Sequence, residues 1–174
     1  PKSSILEIGA GTGNLTEYIF NKNPKKVFII EKDERLVLKL KERFDDKIEI
    51  INKDVLKVKE NLICQDKLIV YGNLPYNIST QILSKWIIND FKDVWYESFI
   101  FMFQKEVADR ILAQTNSKNY GRLSILSNWK LFIKKLFNIN SSCFNPKPNV
   151  QSTLLMFTPR KSYTKLENSK NLEI

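Results

Sequence analysis

The chain has 174 residues, 43% of them hydrophobic and 27% charged, which is the size and balance of one globular domain. It contains no histidine, which excludes Ser-His and Cys-His nucleophilic catalysis and His-ligated metal sites, and its two distant cysteines match no metal or redox spacing, so we expect no metal. The net charge of +9 indicates nucleic acid or another polyanion as partner, although coding bias toward lysine would give the same sign.

Short apolar runs alternate with helical patterns along most of the chain. Strands are predicted at 4–8, 27–30, 48–51, 68–71 and 98–103, and helices at 15–20, 34–44, 106–113 and 123–129. A further helix with an apolar face is predicted after 78, with Ser79 or Thr80 as its N-cap. This alternation predicts an α/β fold with a Rossmann-like, mostly parallel sheet.

The end of the chain follows another pattern. Residues 129–139 and 152–158 predict a closing pair of strands, and because no helix-length spacer separates them, one should run antiparallel. Residues 161–174 are polar and without periodicity, which indicates a linker. No apolar run reaches the roughly 18 residues of a membrane span. Together with the reduced thiols expected of Cys64 and Cys143, this favours the cytoplasm, or an organelle if the source is eukaryotic.

A glycine-rich turn, Gly9-Ala10-Gly11-Thr12-Gly13, separates the first strand from the first helix, where backbone can approach a ligand closely. The third glycine of a dinucleotide fingerprint is replaced by Asn14, and no phosphate-binding P-loop lysine follows. Glu31 ends the second strand, where a carboxylate accepts ribose hydroxyls, and Asp54 follows the third strand, placed for an adenine amino group.

Taken alone, each of these carboxylates is typical of an ordinary exposed side chain. Taken together at the strand ends, they predict S-adenosylmethionine rather than NAD. The expected cofactor-binding residues are Gly9, Gly11, Glu31, Lys32, Asp54, Val55 and Asn73.

The tetrapeptide Asn73-Leu74-Pro75-Tyr76 follows the fourth strand and Gly72, at the sheet edge where open α/β folds bind ligands. Two acceptor oxygens, from the Asn73 amide and the Pro75 carbonyl, beside an aromatic ring suit the exocyclic amino group of adenine. A simple surface turn containing proline would use the same residue types.

Five motifs in order resemble the ribosomal RNA adenine dimethyltransferases of the KsgA type, over about residues 4–159. They are Glu7-Ile8-Gly9-Ala10-Gly11-Thr12-Gly13, Asn73-Leu74-Pro75-Tyr76-Asn77-Ile78-Ser79-Thr80, Gln104-Lys105-Glu106-Val107-Ala108-Asp109-Arg110, Tyr120-Gly121-Arg122-Leu123-Ser124 and the proline-rich segment from Phe144 to Ser152.

The resemblance implies an S-adenosyl-L-methionine-dependent methyltransferase that converts two adjacent adenines near the 3′ end of small-subunit ribosomal RNA to dimethyladenine, leaving S-adenosyl-L-homocysteine. It implies catalytic roles for Asn73, Leu74, Pro75 and Tyr76, with Tyr76 and Phe144 stacking on the base; from the residues alone, Phe144 is equally a core side chain. The alternatives are an erythromycin-resistance type methyltransferase of large-subunit RNA, and a non-catalytic ribosome-assembly or mitochondrial transcription factor.

The resemblance also implies a longer protein, because the family carries an N-terminal segment that covers the cofactor and a small helical C-terminal domain that binds RNA. We therefore expect residues 1–160 to form the catalytic domain and 161–174 to lead toward that helical domain. Basic residues near the predicted catalytic edge should hold RNA phosphates, namely Lys105, Arg110, Lys118 and Arg122, although Arg110 and Arg122 would serve equally in structural ion pairs. A monomer is expected, with the pre-small ribosomal subunit as partner.

Overall fold

The computed structural model describes residues 2–74, 76–88, 94–144 and 148–164, without the side chains of residues 76 and 77. These residues form two compact units, the first from 2–74 and 94–99 and the second from 76–88, 100–144 and 148–164. No helix among them is long and apolar enough to cross a bilayer.

One mixed sheet runs through the described residues in the order β3-β2-β1-β4-β5-β7-β6. Its strands are β1 (Ser4–Ile8), β2 (Lys26–Glu31), β3 (Glu49–Asn52), β4 (Leu68–Gly72), β5 (Tyr96–Gln104), β6 (Leu131–Ile139) and β7 (Ser152–Pro159). The helices are α1 (Asn14–Phe20), α2 (Glu34–Phe44), α3 (Tyr76–Ile88), α4 (Lys105–Ile111) and α5 (Arg122–Lys130). The predicted Rossmann-like sheet is confirmed.

In the first unit, β1 lies between β2 and β4 and is parallel to both, while β2 pairs in parallel with β3. Parallel strands covered on both faces consist of continuous apolar runs, as in the Val27–Ile30 stretch of β2. The inner faces of α1 and α2 pack on this sheet through Ile19, Leu40 and Phe44.

In the second unit, β6 and β7 pair antiparallel, as the missing spacer between them predicted. Its core includes ring contacts of Trp86 with Phe101 and of Phe103 with Phe157. Ala108 and Ile111 of α4 and Leu126 of α5 are fully buried.

One predicted helix start is wrong. Helix α3 is already helical at Tyr76, so Ser79 and Thr80 lie within its first turns and neither is its N-cap. Ser79 is fully buried there. Ser and Thr are favoured N-cap residues, but their hydroxyls are also accommodated inside helices, so their presence does not by itself mark where a helix starts.

Candidate cofactor site

The register of the parallel strands brings four loops to one edge of the first unit. Ile8 at the end of β1 is paired with Ile30 of β2 and with Gly72 of β4, and Glu31 is paired with Asn52 of β3. Because parallel strands end on the same side, the segments that follow them meet there. These segments carry the glycine turn, Glu31 with Lys32, Asp54 and Asn73.

The glycine turn adopts a conformation that ordinary residues avoid. Gly9, Gly11 and Gly13 have φ angles of 67°, 60° and 83°. The N–H of Gly9 donates to the carbonyl of Ile30 at 2.9 Å, which ties the turn to β2. A Cβ atom at Gly11 would have no heavy atom within 4 Å, so open space adjoins the backbone there. The turn thus combines left-handed backbone with room for a ligand.

Gly13 is required for packing as well as for conformation. A Cβ at this position would lie 2.6 Å from Cε2 of Phe44 and 3.0 Å from Cδ2 of Leu40, both on α2. The α2 helix therefore packs against the end of the glycine turn, and a larger residue at position 13 fits only if the Phe44 ring shifts.

Arg43, also on α2, holds the same turn by hydrogen bonds. Its guanidinium donates to the carbonyl of Thr12 at 2.7 Å and forms an ion pair with Glu17 of α1. The guanidinium also lies 5.3 Å from the ring centroid of Phe44. The contacts of Arg43 and Phe44 fix the turn from the α2 side.

The Glu31 carboxylate is at the centre of the site. One oxygen accepts from the N–H of Gly11 at 3.2 Å, and the other from the N–H groups of Lys32 and Asp33 at 2.8 and 3.0 Å. The residue is 7% exposed. The Asn52 amide donates to the Glu31 carbonyl at 2.9 Å, which fixes the strand end. Backbone donors thus orient a buried carboxylate beside the glycine turn, and each of its oxygens retains accepting capacity.

Asp54 has a local structural role in addition to its place at the edge. Its side chain accepts from the N–H of Leu56 at 3.0 Å and so caps the short 3-10 helix Val55–Lys57. Lys32 donates to its other oxygen at 3.1 Å. The hydrogen bond from the Leu56 N–H is the largest cause that lowers the pKa of Asp54, and the hydrogen bond from Lys32 lowers it further. Asp54 and Lys32 are brought together, and Val55, the residue after Asp54, is buried.

A second carboxylate, Glu7, lies within β1 and is 2% exposed. The hydroxyl of Thr16 donates to it at 2.6 Å. Burial raises the pKa of Glu7, the Thr16 hydroxyl opposes that shift, and the charge of Glu31 adds to it. The sequence analysis used Glu7 only as part of a motif, although a carboxylate within the apolar run of residues 5–8 was a usable signal.

The tetrapeptide is described in part. Asn73 is exposed at the end of β4, and Leu74 is buried and reaches toward the glycine turn, since a Cβ at Gly9 would lie 3.6 Å from its Cδ2. Pro75 and the side chain of Tyr76 lie outside the described residues.

The residues predicted to contact RNA belong to the second unit. On α4, Lys105 pairs with Asp109 at 2.6 Å and Arg110 with Glu106 at 2.5 Å. Lys118 is exposed in the connection that precedes α5, and Arg122 is the first residue of α5. Phe144 is half-buried, after the short 3-10 helix Ser141–Cys143.

Thr16, Arg43 and Asn52 were missed from the sequence altogether. Their roles depend on contacts between residues 9, 31 and 21 positions apart, and no local pattern marks such contacts. Only the fold places them around the glycine turn and the Glu31 strand end.

The chain matches the family model described as ribosomal RNA adenine dimethylase over residues 1–173. It is 57% identical over 169 residues to the ribosomal RNA small subunit methyltransferase A of Pelagibacter ubique, covering 97% of this chain and 64% of that protein. The protein of the same name from Ehrlichia chaffeensis is 45% identical over 155 residues, covering 87% of this chain and 58% of that protein. The chain thus spans about three fifths of these relatives.

Solved structures show the same fold. A dimethyladenosine transferase from Plasmodium falciparum superposes with a TM-score of 0.79 at 32% identity, covering 92% of this chain and 57% of that one. The 23S rRNA methyltransferase ErmE superposes with a TM-score of 0.77 at 23% identity, covering 99% of this chain and 67% of that one. The second likeness concerns the fold alone.

Proposed function

This chain belongs to the ribosomal RNA adenine dimethylase family, and on that premise we propose that the protein it forms part of methylates small-subunit ribosomal RNA. The reaction is transfer of methyl groups from S-adenosyl-L-methionine to the 6-amino groups of two adjacent adenines in the hairpin loop near the 3′ end. The sequence identity of 57% to a small subunit methyltransferase, against 23% to ErmE, favours the small subunit over the large one.

The observation that carries the proposal is the register of β1 with β2 and β4, which places the glycine turn, Glu31 and the exposed Asn73 at one edge. These residues fit an adenosyl ligand. Gly11 leaves open space beside its backbone, and the buried Glu31 carboxylate faces that turn with acceptor capacity for ribose hydroxyls. Lys32, Asp54 and Val55 would line the adenine end.

S-Adenosyl-L-methionine, when bound, supplies an activated methyl group on a sulfonium. The chain's own contribution is to hold both reactants in place and to accept hydrogen bonds from the amino group of the adenine. The amino lone pair of adenine is delocalised into the ring and is a poor nucleophile. The Asn73 amide oxygen and the Pro75 carbonyl would accept its two hydrogens, favouring a localised lone pair. Positioning and electrostatics then lower the barrier without a covalent enzyme intermediate.

The target adenine has to leave its stack before it can react, which costs a few kcal/mol and less in a loop than in a duplex. Stacking on Tyr76, with Phe144 on the other side, would recover about 1–3 kcal/mol per base. Lys105, Arg110, Lys118 and Arg122 would hold the neighbouring phosphates. No histidine general base is required, because the methylated nitrogen loses its proton readily.

The remaining assignments are part of the same proposal. Residues 1–160 form the catalytic domain, and 161–174 lead toward a helical RNA-binding domain. The protein works as a monomer on the immature small subunit in the cytoplasm.

The test is methylation by the full-length protein of small-subunit RNA and of immature small subunits, with labelled methyl donor. Incorporation should be confined to the two loop adenines, each reaching the dimethyl state. Large-subunit RNA serves as the control substrate. Methylation of that RNA instead, or none of either, would refute the assignment.

A further inference from the structure

The last two strands carry a bulge that changes which side chains share a face. Pairing passes from Lys135 with Leu155 directly to Phe137 with Leu154, so that Leu136 is an extra residue in β6. Side chains alternate along a strand, and Phe132 and Phe137 are five residues apart, which would place them on opposite faces of a regular strand. The bulge brings them to the same face, together with Lys134.

This face, which we call the β6–β7 face, is the one turned away from the core. The partners of Phe132, Lys134 and Phe137 on β7 are Thr158, Met156 and Leu154, which are half-buried. Leu155 and Phe157, on the opposite face of β7, are fully buried. Phe132 and Phe137 are each 55% exposed, so two large rings stand toward solvent.

Positive charge lies between and beside these rings. Lys134 is exposed at the position between them. The Arg160 guanidinium lies 4.1 Å from the ring centroid of Phe132, and its Nε donates to the carbonyls of Asn128 and Leu131 at 3.0 and 3.1 Å. These hydrogen bonds hold the guanidinium beside the Phe132 ring, so that a fixed positive charge adjoins the aromatic surface.

We propose that the β6–β7 face binds single-stranded RNA, as a contact additional to the methylation site. Exposed aromatic rings on a sheet face with cations beside them are the chemistry that stacks bases and neutralises phosphates. The β7 partners of the two rings, Leu154 and Thr158, are four positions apart, a distance of about 13 Å at the usual rise per residue. This spacing seats two bases with a phosphate near Lys134.

The charge pattern decides between RNA and an apolar protein segment. A covering protein segment would bury the Lys134 ammonium at the middle of the face, where none of the described residues of the face is acidic, which is costly. A phosphate backbone supplies that partner, and the chain's net charge of +9 acts in the same sense. The inference rests on the proposed function for the choice of RNA, and the occupant is an unpaired stretch of ribosomal RNA flanking the hairpin.

The test uses the full-length protein and two RNAs, the bare 3′ hairpin and the hairpin with its single-stranded flanks. The variants are Phe132→Ser, Phe137→Ser and Lys134→Ala. The matched controls are Tyr18→Ser, since Tyr18 is 73% exposed on α1, and Lys39→Ala on α2. Equilibrium binding is measured across a salt series, with thermal unfolding of every variant.

Each phenylalanine variant should bind the flanked RNA at least about five-fold more weakly, the lower end for loss of one stacked base. Lys134→Ala should reduce the slope of log affinity against log salt by about one. The controls should match wild type. Unchanged affinity in all three variants would overturn the inference. If the phenylalanine variants had a lower melting temperature but unchanged RNA affinity, the inference would also be overturned, because that result would mean that protein covers the face. Wild-type methylation of the bare hairpin, measured in parallel, tests the proposed function separately.

Discussion

The hydroxyl of Thr16 lies 2.6 Å from the carboxylate of Glu7, in a site where both residues are buried. Burial raises the pKa of Glu7, and the Thr16 hydroxyl opposes this by binding the charged form. The folded chain therefore holds the Glu7 proton more tightly than the unfolded chain. Glu7 contributes most to stability below its unfolded pKa, near 4.5, and loses that contribution as pH rises through the higher folded value.

Glu7→Gln should accordingly be more stable than wild type at neutral pH, because a neutral amide accepts the same hydroxyl without burying charge. The gain should disappear below pH 4.5, where the carboxyl is protonated in both states. Urea unfolding at several pH values measures it. Thr16→Val is the contrasting variant and should lose about 1–3 kcal/mol at neutral pH, since the carboxylate then loses a partner. A Glu7→Gln effect independent of pH would show that charge is not the cause.

Glu31→Ala should weaken S-adenosyl-L-methionine binding at least about ten-fold, since hydrogen bonds to a charged acceptor are lost. The affinity for NAD should be low in both proteins. Calorimetry measures both affinities, and Glu34→Ala, an exposed carboxylate on the first turn of α2, is the control. Equal binding of NAD, or indifference to the loss of Glu31, would disprove the adenosyl site.

The two glycines of the turn should respond differently to alanine. Gly11→Ala meets only the backbone strain of a positive φ, about 1–2 kcal/mol, and should chiefly impair cofactor binding. Gly13→Ala meets the same strain and also the Phe44 ring, which adds about 1–3 kcal/mol of overpacking. In thermal unfolding, Gly13→Ala should therefore have a lower melting temperature than Gly11→Ala. Equal melting temperatures would mean that Phe44 yields without cost.

Asn73→Ala should lower single-turnover methylation of the hairpin at least about 100-fold, the scale for losing one preorganised electrostatic group. The fold and most RNA affinity should survive, because Asn73 is exposed. Tyr76→Ala should impair capture of the base, while Tyr76→Phe keeps the stacking ring and much of the activity. Adenine should be the only acceptor. Substantial activity of Asn73→Ala would mean that this residue only shapes the turn and does not act on the amino group.

RNA affinity should fall steeply with salt, and the single charges should contribute unequally. Lys118→Ala should lower the slope of log affinity against log salt by about one. Arg110→Ala should change it less, since Arg110 is already paired with Glu106 on the same helix face. Binding titrations from low to moderate salt measure both slopes. An affinity that barely depends on salt would refute the phosphate contacts as a group.

The sequence predicted the sheet well because its signals are local. These local signals are the apolar run of β2, the α2 pattern over Glu34–Phe44 and the missing spacer before β7. The family assignment is likewise confirmed. The position of Glu31 at a strand end was inferred correctly, but its three backbone donors were not.

What could not be predicted depends on distant contacts. Arg43 reaches the glycine turn from 31 residues away, and nothing in its own helix marks it for that role. The bulge at Leu136 is similar, since β6 reads as an ordinary alternating strand until its register against β7 is known.

That bulge has a consequence for how the protein meets other copies of itself. In the sheet of the described residues, β6 is the last strand in the order, so its outer edge offers backbone groups to any extended chain. The extra residue at Leu136 bends this edge, and Lys134 and Lys135 place charge beside the bend. The β6 strand of a second molecule would meet a mismatched ladder and like charge. The same bulge that aligns the two phenylalanines thus disfavours edge-to-edge pairing of β6 between two copies of the protein.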